Sequence, residues 1–411
     1  MLDLREIREN PEPTREGLRR RGFDVALLDE ALELDERRRA LLPELEELRR
    51  RKNEASKRIG ELQRTGADAT EAIAETKEVS AREKELEEEL RAIEERRAAV
   101  LASLPNPADP TAPPDDEVLR EVGQAGKTGL GHVELLGEHL GLEEGARASG
   151  SRFVYLKGPL VRLEFALVQW VLELLEAKGF TPVVPPVLVR EHALYGTGML
   201  PDTEQQIYRV PEDELFLAGT SEVPLASLHA GEILGPGELP RRYAGFSTCF
   251  RREAGAAGKD TQGIFRVHQF DKVEMFSFVE PEASGDEHER LLAIEEEILG
   301  ALAIPYRVVN IAAHDLGNSA TKKYDLEAWL PGQGRYRELT SCSNTTAYQA
   351  RRLEVRQRPQ EGASPRHVHT LNGTAVAIGR TIIAIAENHQ REDGTVEVPE
   401  VLRPFGAPAT I

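Results

Sequence analysis

Phe250-Arg-Arg-Glu253, a gap from Ala254 to Gly263, then Phe265-Arg-Val-His-Gln-Phe-Asp-Lys-Val-Glu274 is the stretch on which the fold turns. Both flanks have strand character, and the gap contains Gly255, Gly258 and Gly263, which suit a hairpin loop. Residues of one parity share one face of a strand. Alternation therefore puts Arg251 with Glu253 on one face, and His268, Phe270, Lys272 and Glu274 on one face of the second strand. A buried sheet face that is half charged is costly unless something binds there. Cations, a flat ring and carboxylates on such a face suit a nucleotide together with a small amino compound.

The chain has 411 residues and a formal net charge of -19. That length suits two or three domains, each with its own core. The acidic balance gives no general attraction to nucleic acid or anionic lipid, so any nucleic-acid contact must come from local basic patches. Cys249 and Cys342 are too few for a disulfide framework and fit a reducing compartment. No apolar run approaches the ~20 residues of a membrane span, and the opening Met-Leu-Asp-Leu-Arg-Glu lacks the apolar core of a signal peptide. The expectation is a soluble cytoplasmic protein with no membrane partner.

From about Leu34 to Leu104 the chain is nearly all Glu, Arg, Lys, Leu and Ala. Leu41, Leu45, Leu48, Ala55, Ile59 and Leu62 recur at the three-and-four spacing of a coiled-coil seam. The pattern breaks at Thr65-Gly-Ala-Asp68, where Gly favours a helix end and Asp caps a new start. It resumes at Ala72, Val79, Leu86, Leu90, Ile93 and Val100. The spacing predicts an antiparallel hairpin with arms about 45 Å long. The first arm carries Arg37 to Arg39, Arg49 to Lys52, Lys57, Arg58 and Arg64; the second is richer in glutamate, including Glu87 to Glu89. Such a hairpin is either a self-paired, solvated coiled coil or an arm tracking a phosphate backbone. The hairpin alone leaves both open.

Pro105 to Pro114 cannot continue a helix and marks a semi-rigid linker over residues 105–116. It separates a helical-hairpin domain over 1–104 from a mixed domain over 117–411. Residues 159–178 predict one long amphipathic helix. Val183-Val184 and Val187 to Val189, split by Pro185-Pro186, predict an edge or interface strand, because proline cannot join a central ladder.

Gly126-Lys127-Thr128 imitates a phosphate loop, but the first glycine of that motif would fall at Glu121. His367 and His369 alternate with no cysteine near them in sequence, which argues for structure rather than zinc. Glu338-Leu-Thr-Ser341 is polar within a predicted strand, and its ends offer oxygens of the kind magnesium takes beside phosphates. Strict alternation puts Glu338 and Ser341 on opposite faces, so shared coordination requires a bulge. Taken alone, the segment reads better as an exposed strand end. Leu371 to Arg380 runs into Thr381 to Gln390, which is apolar on most sides and predicts a buried helix. Free amides and the helix dipole favour an anion at its start, where Arg380 stands. A phosphate explains that arginine better than packing does, with a structural carboxylate as the other candidate partner.

In order along the chain, the hairpin, the linker, Gly179-Phe180 through Pro186, Thr220-Ser-Glu222, Phe250 through Glu274, and Gly379-Arg380 with its helix resemble the bacterial-type seryl-tRNA synthetases, a family of class II aminoacyl-tRNA synthetases. The resemblance covers nearly the whole chain. It implies an α+β fold in which helices flank an antiparallel sheet, with an N-terminal antiparallel coiled-coil hairpin. It also implies a homodimer built on the Gly179–Pro186 segment. The implied ligase activates L-serine with ATP and Mg2+ to seryl-adenylate and transfers serine to the 3' end of tRNA(Ser), with tRNA(Sec) as an open second acceptor. The hairpin is then the arm that grips the tRNA.

Carried residue by residue, the resemblance makes Arg251, Glu338 and Arg380 catalytic. Arg251 would hold the α-phosphate and the substrate carboxylate, with Arg252 beside it in the ATP site. Glu253 would read the adenine amino group, Phe270 would stack on the ring and Val267 would line it. Arg380 would bind the γ-phosphate. Glu338 and Ser341 would hold Mg2+, with Leu339 and Thr340 between them in the ATP site. Thr220, Ser221, Glu222, Glu274 and Thr374, with Arg251, would bind L-serine. Ser221 stands where alanine is commoner in the family, and Thr340 where serine is commoner. Two other functions compete with this one. One is a seryl-adenylate former serving a carrier protein or antibiotic resistance. The other is a catalytically inactive RNA-binding protein, which is expected to have lost one of Arg251, Glu274, Glu338 or Arg380; all four are present.

Overall fold

The computed structural model describes residues 1–201, 205–254, 260 and 262–411. It divides into two compact units, Leu2–Leu104 and Pro105–Ile411, with Met1 counted with the second.

In the first unit, two short helices, Leu4–Glu9 and Pro11–Arg20, precede α1 (Ala26–Thr65) and α2 (Thr70–Ser103). The turn falls where the sequence breaks. Gly66 closes α1 in the left-handed region at φ 70°, which glycine adopts without a Cβ penalty. Asp68 Oδ1 accepts from the Thr70 main-chain N–H at 2.9 Å to open α2. The seam is built on Leu45, Leu48, Val79 and Leu86, flanked by Leu41 and Leu90. The first arm starts well before Leu34, because Leu28 and Ala31 are also buried and extend the apolar stripe.

The basic side of α1 is largely neutralised from α2. Arg37 pairs with Glu89 at 3.1 Å, Arg38 with Glu94 at 2.9 Å, Arg49 with Glu87 at 2.8 Å and Lys52 with Glu83 at 2.5 Å. Exposed pairs of this kind contribute ~0–1 kcal/mol each, so they set register more than stability. Toward the turn the pattern changes: among the described residues, Lys57, Arg58 and Arg64 make no ion pair.

The second unit is organised by an eight-stranded sheet. Its strands are β1 (Glu117–Val122), β2 (Thr181–Val183), β3 (Arg241–Phe250), β4 (Gln269–Val279), β5 (Tyr306–Asn310), β6 (Lys322–Leu330), β7 (Arg335–Thr346) and β8 (His369–Ala377). The spatial order is β1-β5-β6-β7-β8-β4-β3-β2. Every pairing is antiparallel except that of β2 with β3. Val273 and Met275 of β4 are fully buried in a core shared with Leu163 of α3 (Pro159–Ala177) and Leu291 of α4 (Ser284–Ala301). Alternation then turns Phe270, Lys272 and Glu274 to the other face, as the sequence requires.

Two strand assignments change. β3 ends at Phe250, so Arg251 to Glu253 lie beyond it and their parity does not hold. The Arg251 main-chain N–H still donates to the His268 carbonyl at 3.0 Å, but Arg252 turns to the Gln206 carbonyl and Glu253 takes a positive φ of 51°. Gly255 and Gly258 of the intervening loop lie outside the described residues. The proline pair splits one expected strand into two: Thr181–Val183 forms the end of the large sheet, whereas Leu188–Arg190 joins a separate three-stranded sheet.

Candidate active site

The sheet face opposite α3 and α4 borders a cavity of about 530 Å³. From the nucleotide set, Arg251, Glu253, Val267, Phe270, Glu338, Leu339, Thr340, Ser341 and Arg380 line it. From the amino-acid set, Thr220, Glu222, Glu274 and Thr374 line the same cavity. Segments more than a hundred residues apart in sequence are thus brought to one wall.

Local structure explains each placement. Glu274 of β4 sits directly opposite Thr374 of β8, because the pairing shifts by one residue after Val273. Thr220 to Glu222 can approach β3 because Gly245 has no side chain: a Cβ there would lie 2.7 Å from a Leu225 methyl carbon and 3.2 Å from the Ser221 Cβ. On β7, Thr340 pairs with Leu326 while Glu338 pairs with Glu327, so Leu339 is the extra residue of a bulge. That bulge brings Glu338 and Ser341 to the same cavity, meeting the condition that strict alternation had imposed.

Arg380 stands in the first turn of α5 (Ile378–Asn388). Its Nη1 donates to the Glu338 carbonyl at 3.0 Å and lies 3.4 Å from the Glu338 carboxylate, so a carboxylate does partner it. Its guanidinium also covers the Phe265 ring at 4.7 Å. Burial opposes charge on Glu338, but Arg380, Lys323 and Arg251 outweigh it and hold the carboxyl below its ordinary range. Arg251 donates through Nε to the Gly219 carbonyl at 3.1 Å, and its guanidinium lies 5.3 Å from the Phe270 ring centre.

A second bonded cluster occupies the part of the cavity formed by Thr220, Lys272 and Glu274. Thr220 Oγ1 lies 3.2 Å from Glu274 Oε2, Lys272 Nζ lies 2.8 Å from Thr220 Oγ1, and Lys272 pairs directly with Glu274. Glu222 Oε1 accepts from Gln349 Nε2 at 2.7 Å and from Asn372 Nδ2 at 3.0 Å. Burial, and then the nearby Glu274, push the Glu222 carboxyl up to about 7.

Three expected site residues are placed differently. Ser221 is fully buried behind the wall, with its hydroxyl 2.7 Å from Ser247 Oγ. Arg252 is exposed and does not line the cavity. Thr340 borders the cavity, but its hydroxyl donates to Glu295 Oε2 of α4, toward the helix-covered face. The structure also adds residues that the motifs did not single out. Arg266 lines the cavity and pairs with Glu253 at 2.5 Å, and Lys323 and Asn372 also reach it. Lys272 is the addition that alternation had signalled, since it shares parity with Phe270 and Glu274.

Glu338 and Ser341 fit Mg2+, a hard cation that takes few protein oxygens and completes its shell with phosphates and water. Among the described residues no group of three or more His, Cys, Asp or Glu is arranged to hold a metal by itself. The protein would therefore supply only part of the coordination sphere.

An antiparallel sheet carrying an arginine just past one strand, a second arginine at a helix start and a carboxylate between them defines the core of a class II aminoacyl-tRNA synthetase. Residues 206–389 match the family model described as the tRNA synthetase class II core domain (G, H, P, S and T). Residues 1–108 match the seryl-tRNA synthetase N-terminal domain. The chain is 49% identical to the serine–tRNA ligase of Thermobifida fusca, over 98% of this chain and 97% of that one. Its fold superposes on the crystal structure of seryl-tRNA synthetase from Pyrococcus horikoshii complexed with ATP, with a TM-score of 0.93 and 43% identity, covering 100% of this chain and 99% of that one. It is also similar to the cytoplasmic serine–tRNA ligase of Naegleria fowleri in complex with AMP, with a TM-score of 0.88, 36% identity, and coverage of 100% and 98%. The chain belongs to the seryl-tRNA synthetase family.

Proposed function

We propose that this chain is a serine–tRNA ligase working in the cytoplasm as a homodimer, with the cavity beside Arg251 as its catalytic centre. The observation that carries this reading is the juxtaposition of two clusters in one cavity. Arg380 with Glu338 offers a phosphate site, and Glu274 with Glu222 offers acceptors for a small amino acid.

In the first step, a serine carboxylate oxygen attacks the α-phosphorus of ATP; the bond to the bridging oxygen breaks and pyrophosphate leaves. Arg251 holds the α-phosphate beside the serine carboxylate, and Arg380 and Arg266 stabilise the charge of the departing phosphates. Phe270 and Val267 flank adenine, whose amino group Glu253 reads. Glu222 takes the ammonium of serine and Glu274 its hydroxyl, with Thr220 and Thr374 completing the wall. Glu338 and Ser341 would hold Mg2+, which neutralises phosphate charge when bound. In the second step, a ribose hydroxyl at the tRNA 3' end attacks the seryl carbonyl and AMP leaves. No protein nucleophile is required; orientation and fixed charge supply the catalysis.

The hairpin grips tRNA(Ser), a role supported by Lys57, Arg58 and Arg64, which make no ion pair among the described residues. Dimerisation is supported by exposed apolar side chains: Val184 is 80% and Phe165 57% accessible in the single chain. No helix among the described residues is long and apolar enough to cross a membrane.

The test is amino-acid-dependent ATP–pyrophosphate exchange with serine, threonine, alanine and glycine, alongside tRNA charging. Exchange with serine and charging of tRNA(Ser) are expected. Exchange without charging would move the function to a carrier or resistance role, and no exchange with any of the four would overturn the reading.

A further inference from the structure

None of the site residues carried over from the family is a lysine, yet Lys272 lines the cavity in a costly environment. Only 8% of its side chain is accessible, on a central strand, where an ammonium is expensive unless its donors are satisfied. Its partners are two residues of the serine end: it donates to Thr220 Oγ1 at 2.8 Å and pairs directly with Glu274 Oε2.

The donor inventory of these groups fixes the direction of every proton. A lysine ammonium only donates, so the Thr220 hydroxyl must accept from it. The Glu222 main-chain N–H also points at Thr220 Oγ1, at 3.2 Å. With both lone pairs engaged, the hydroxyl can only donate, and its acceptor is Glu274 Oε2 at 3.2 Å. Lys272 and Thr220 therefore both bind the same carboxylate oxygen. Glu274 Oε1 takes part in neither bond, on a side chain that lines the cavity.

From this wiring we infer that Lys272 is a positioning residue for serine specificity: it locks Glu274 so that one oxygen is held by the protein and the other waits for the substrate hydroxyl. An amino acid without a hydroxyl leaves that oxygen unpaired in a closed site, the situation that rejects isosteres most strongly. The inference rests on the serine-activating reading above and deepens it, assigning discrimination to a residue that need not touch substrate.

The experiment is pyrophosphate exchange on full-length wild type, Lys272→Met and Lys272→Gln, with KM for serine, KM for ATP and the serine-to-alanine ratio of kcat/KM each measured. Serine-dependent exchange by wild type establishes the underlying reading separately; its absence is a failure of that reading and not of this wiring. In Lys272→Met the KM for serine should rise at least 30-fold and the serine-to-alanine ratio should fall at least 10-fold, with KM for ATP within twofold. Lys272→Gln keeps a donor for Thr220 and should recover part of the serine-to-alanine ratio. Equal rises in both KM values with an unchanged ratio would mean a merely structural lysine and overturn the inference, as would a KM for serine that does not move. If Lys272→Met does not fold, Lys272→Gln decides: a rise in serine KM alone supports the wiring, and wild-type values for serine KM and the ratio overturn it.

Discussion

Glu338 and Ser341 stand three residues apart on β7 and border the same cavity, because Leu339 is the extra residue of a bulge between them. One carboxylate and one hydroxyl would thereby be available to a Mg2+ ion that completes its shell with phosphate oxygens. Glu338→Gln should lower adenylate formation about 100-fold or more, the range seen when one charge-stabilising group is removed. Ser341→Ala should act mainly by raising the Mg2+ concentration needed for half-maximal exchange. A magnesium titration of exchange for both variants checks the pair. An unchanged Mg2+ requirement in both would exclude them as ligands.

Arg251 lines the same cavity as the two clusters, bonded to the Gly219 carbonyl and with its guanidinium 5.3 Å from the Phe270 ring centre. Arg251→Ala should lose pyrophosphate exchange by about 100-fold or more while still binding tRNA in a filter or mobility assay. Undiminished exchange in this variant would sink the mechanism.

Glu222 gives the site a pH dependence whose sign follows from its environment. Its carboxyl is pushed up to about 7 from an ordinary 4.5. Between about 4.5 and 7 the folded state holds a proton that the unfolded state has released, so unliganded stability falls as pH rises through that window. Serine, whose ammonium prefers the ionised carboxylate, should bind with a KM that falls as pH rises through about 7. Glu222→Gln should flatten both profiles, as melting curves and serine titrations from pH 5.5 to 8.5 would reveal.

Ser221 separates what the family motif implies from what the fold does with it. Its hydroxyl is buried against Ser247, away from the cavity. Ser221→Ala should leave KM for serine within about twofold and cost about 1 kcal/mol of stability, the usual worth of a buried hydrogen bond. A large rise in KM without loss of stability would return Ser221 to the binding wall.

On the hairpin, Lys57, Arg58 and Arg64 have among the described residues none of the glutamate partners that Arg37, Arg38, Arg49 and Lys52 have. Replacing all three with alanine should weaken tRNA binding and reduce the slope of log K against log salt by about 2 to 3, since each phosphate contact contributes ~0.9. Serine-dependent exchange without tRNA should be unaffected. A salt slope equal to that of wild type would place the tRNA elsewhere.

Local rules made much of this molecule legible in its sequence. The seam spacing, Gly66 and Asp68 located the hairpin and its turn, because helix periodicity and capping act over a few residues. Parity on β4 located Phe270, Lys272 and Glu274 on one face, because a paired strand alternates. Parity failed past Phe250, where Arg251 to Glu253 leave the ladder and Glu253 turns to a positive φ. The sequence by itself thus determined the helical hairpin with its turn, the alternation along β4 and the residue types at the site. Tertiary structure alone decided that Leu339 bulges, that Thr340 turns to Glu295, that Ser221 faces Ser247, that Lys272 binds Thr220 and Glu274, and that Arg37, Arg38 and Arg49 of α1 pair with glutamates of α2. Those outcomes depend on which donors and acceptors are buried together from distant parts of the chain. A buried polar group takes whatever partner the packing brings within reach, and no local spacing encodes that choice.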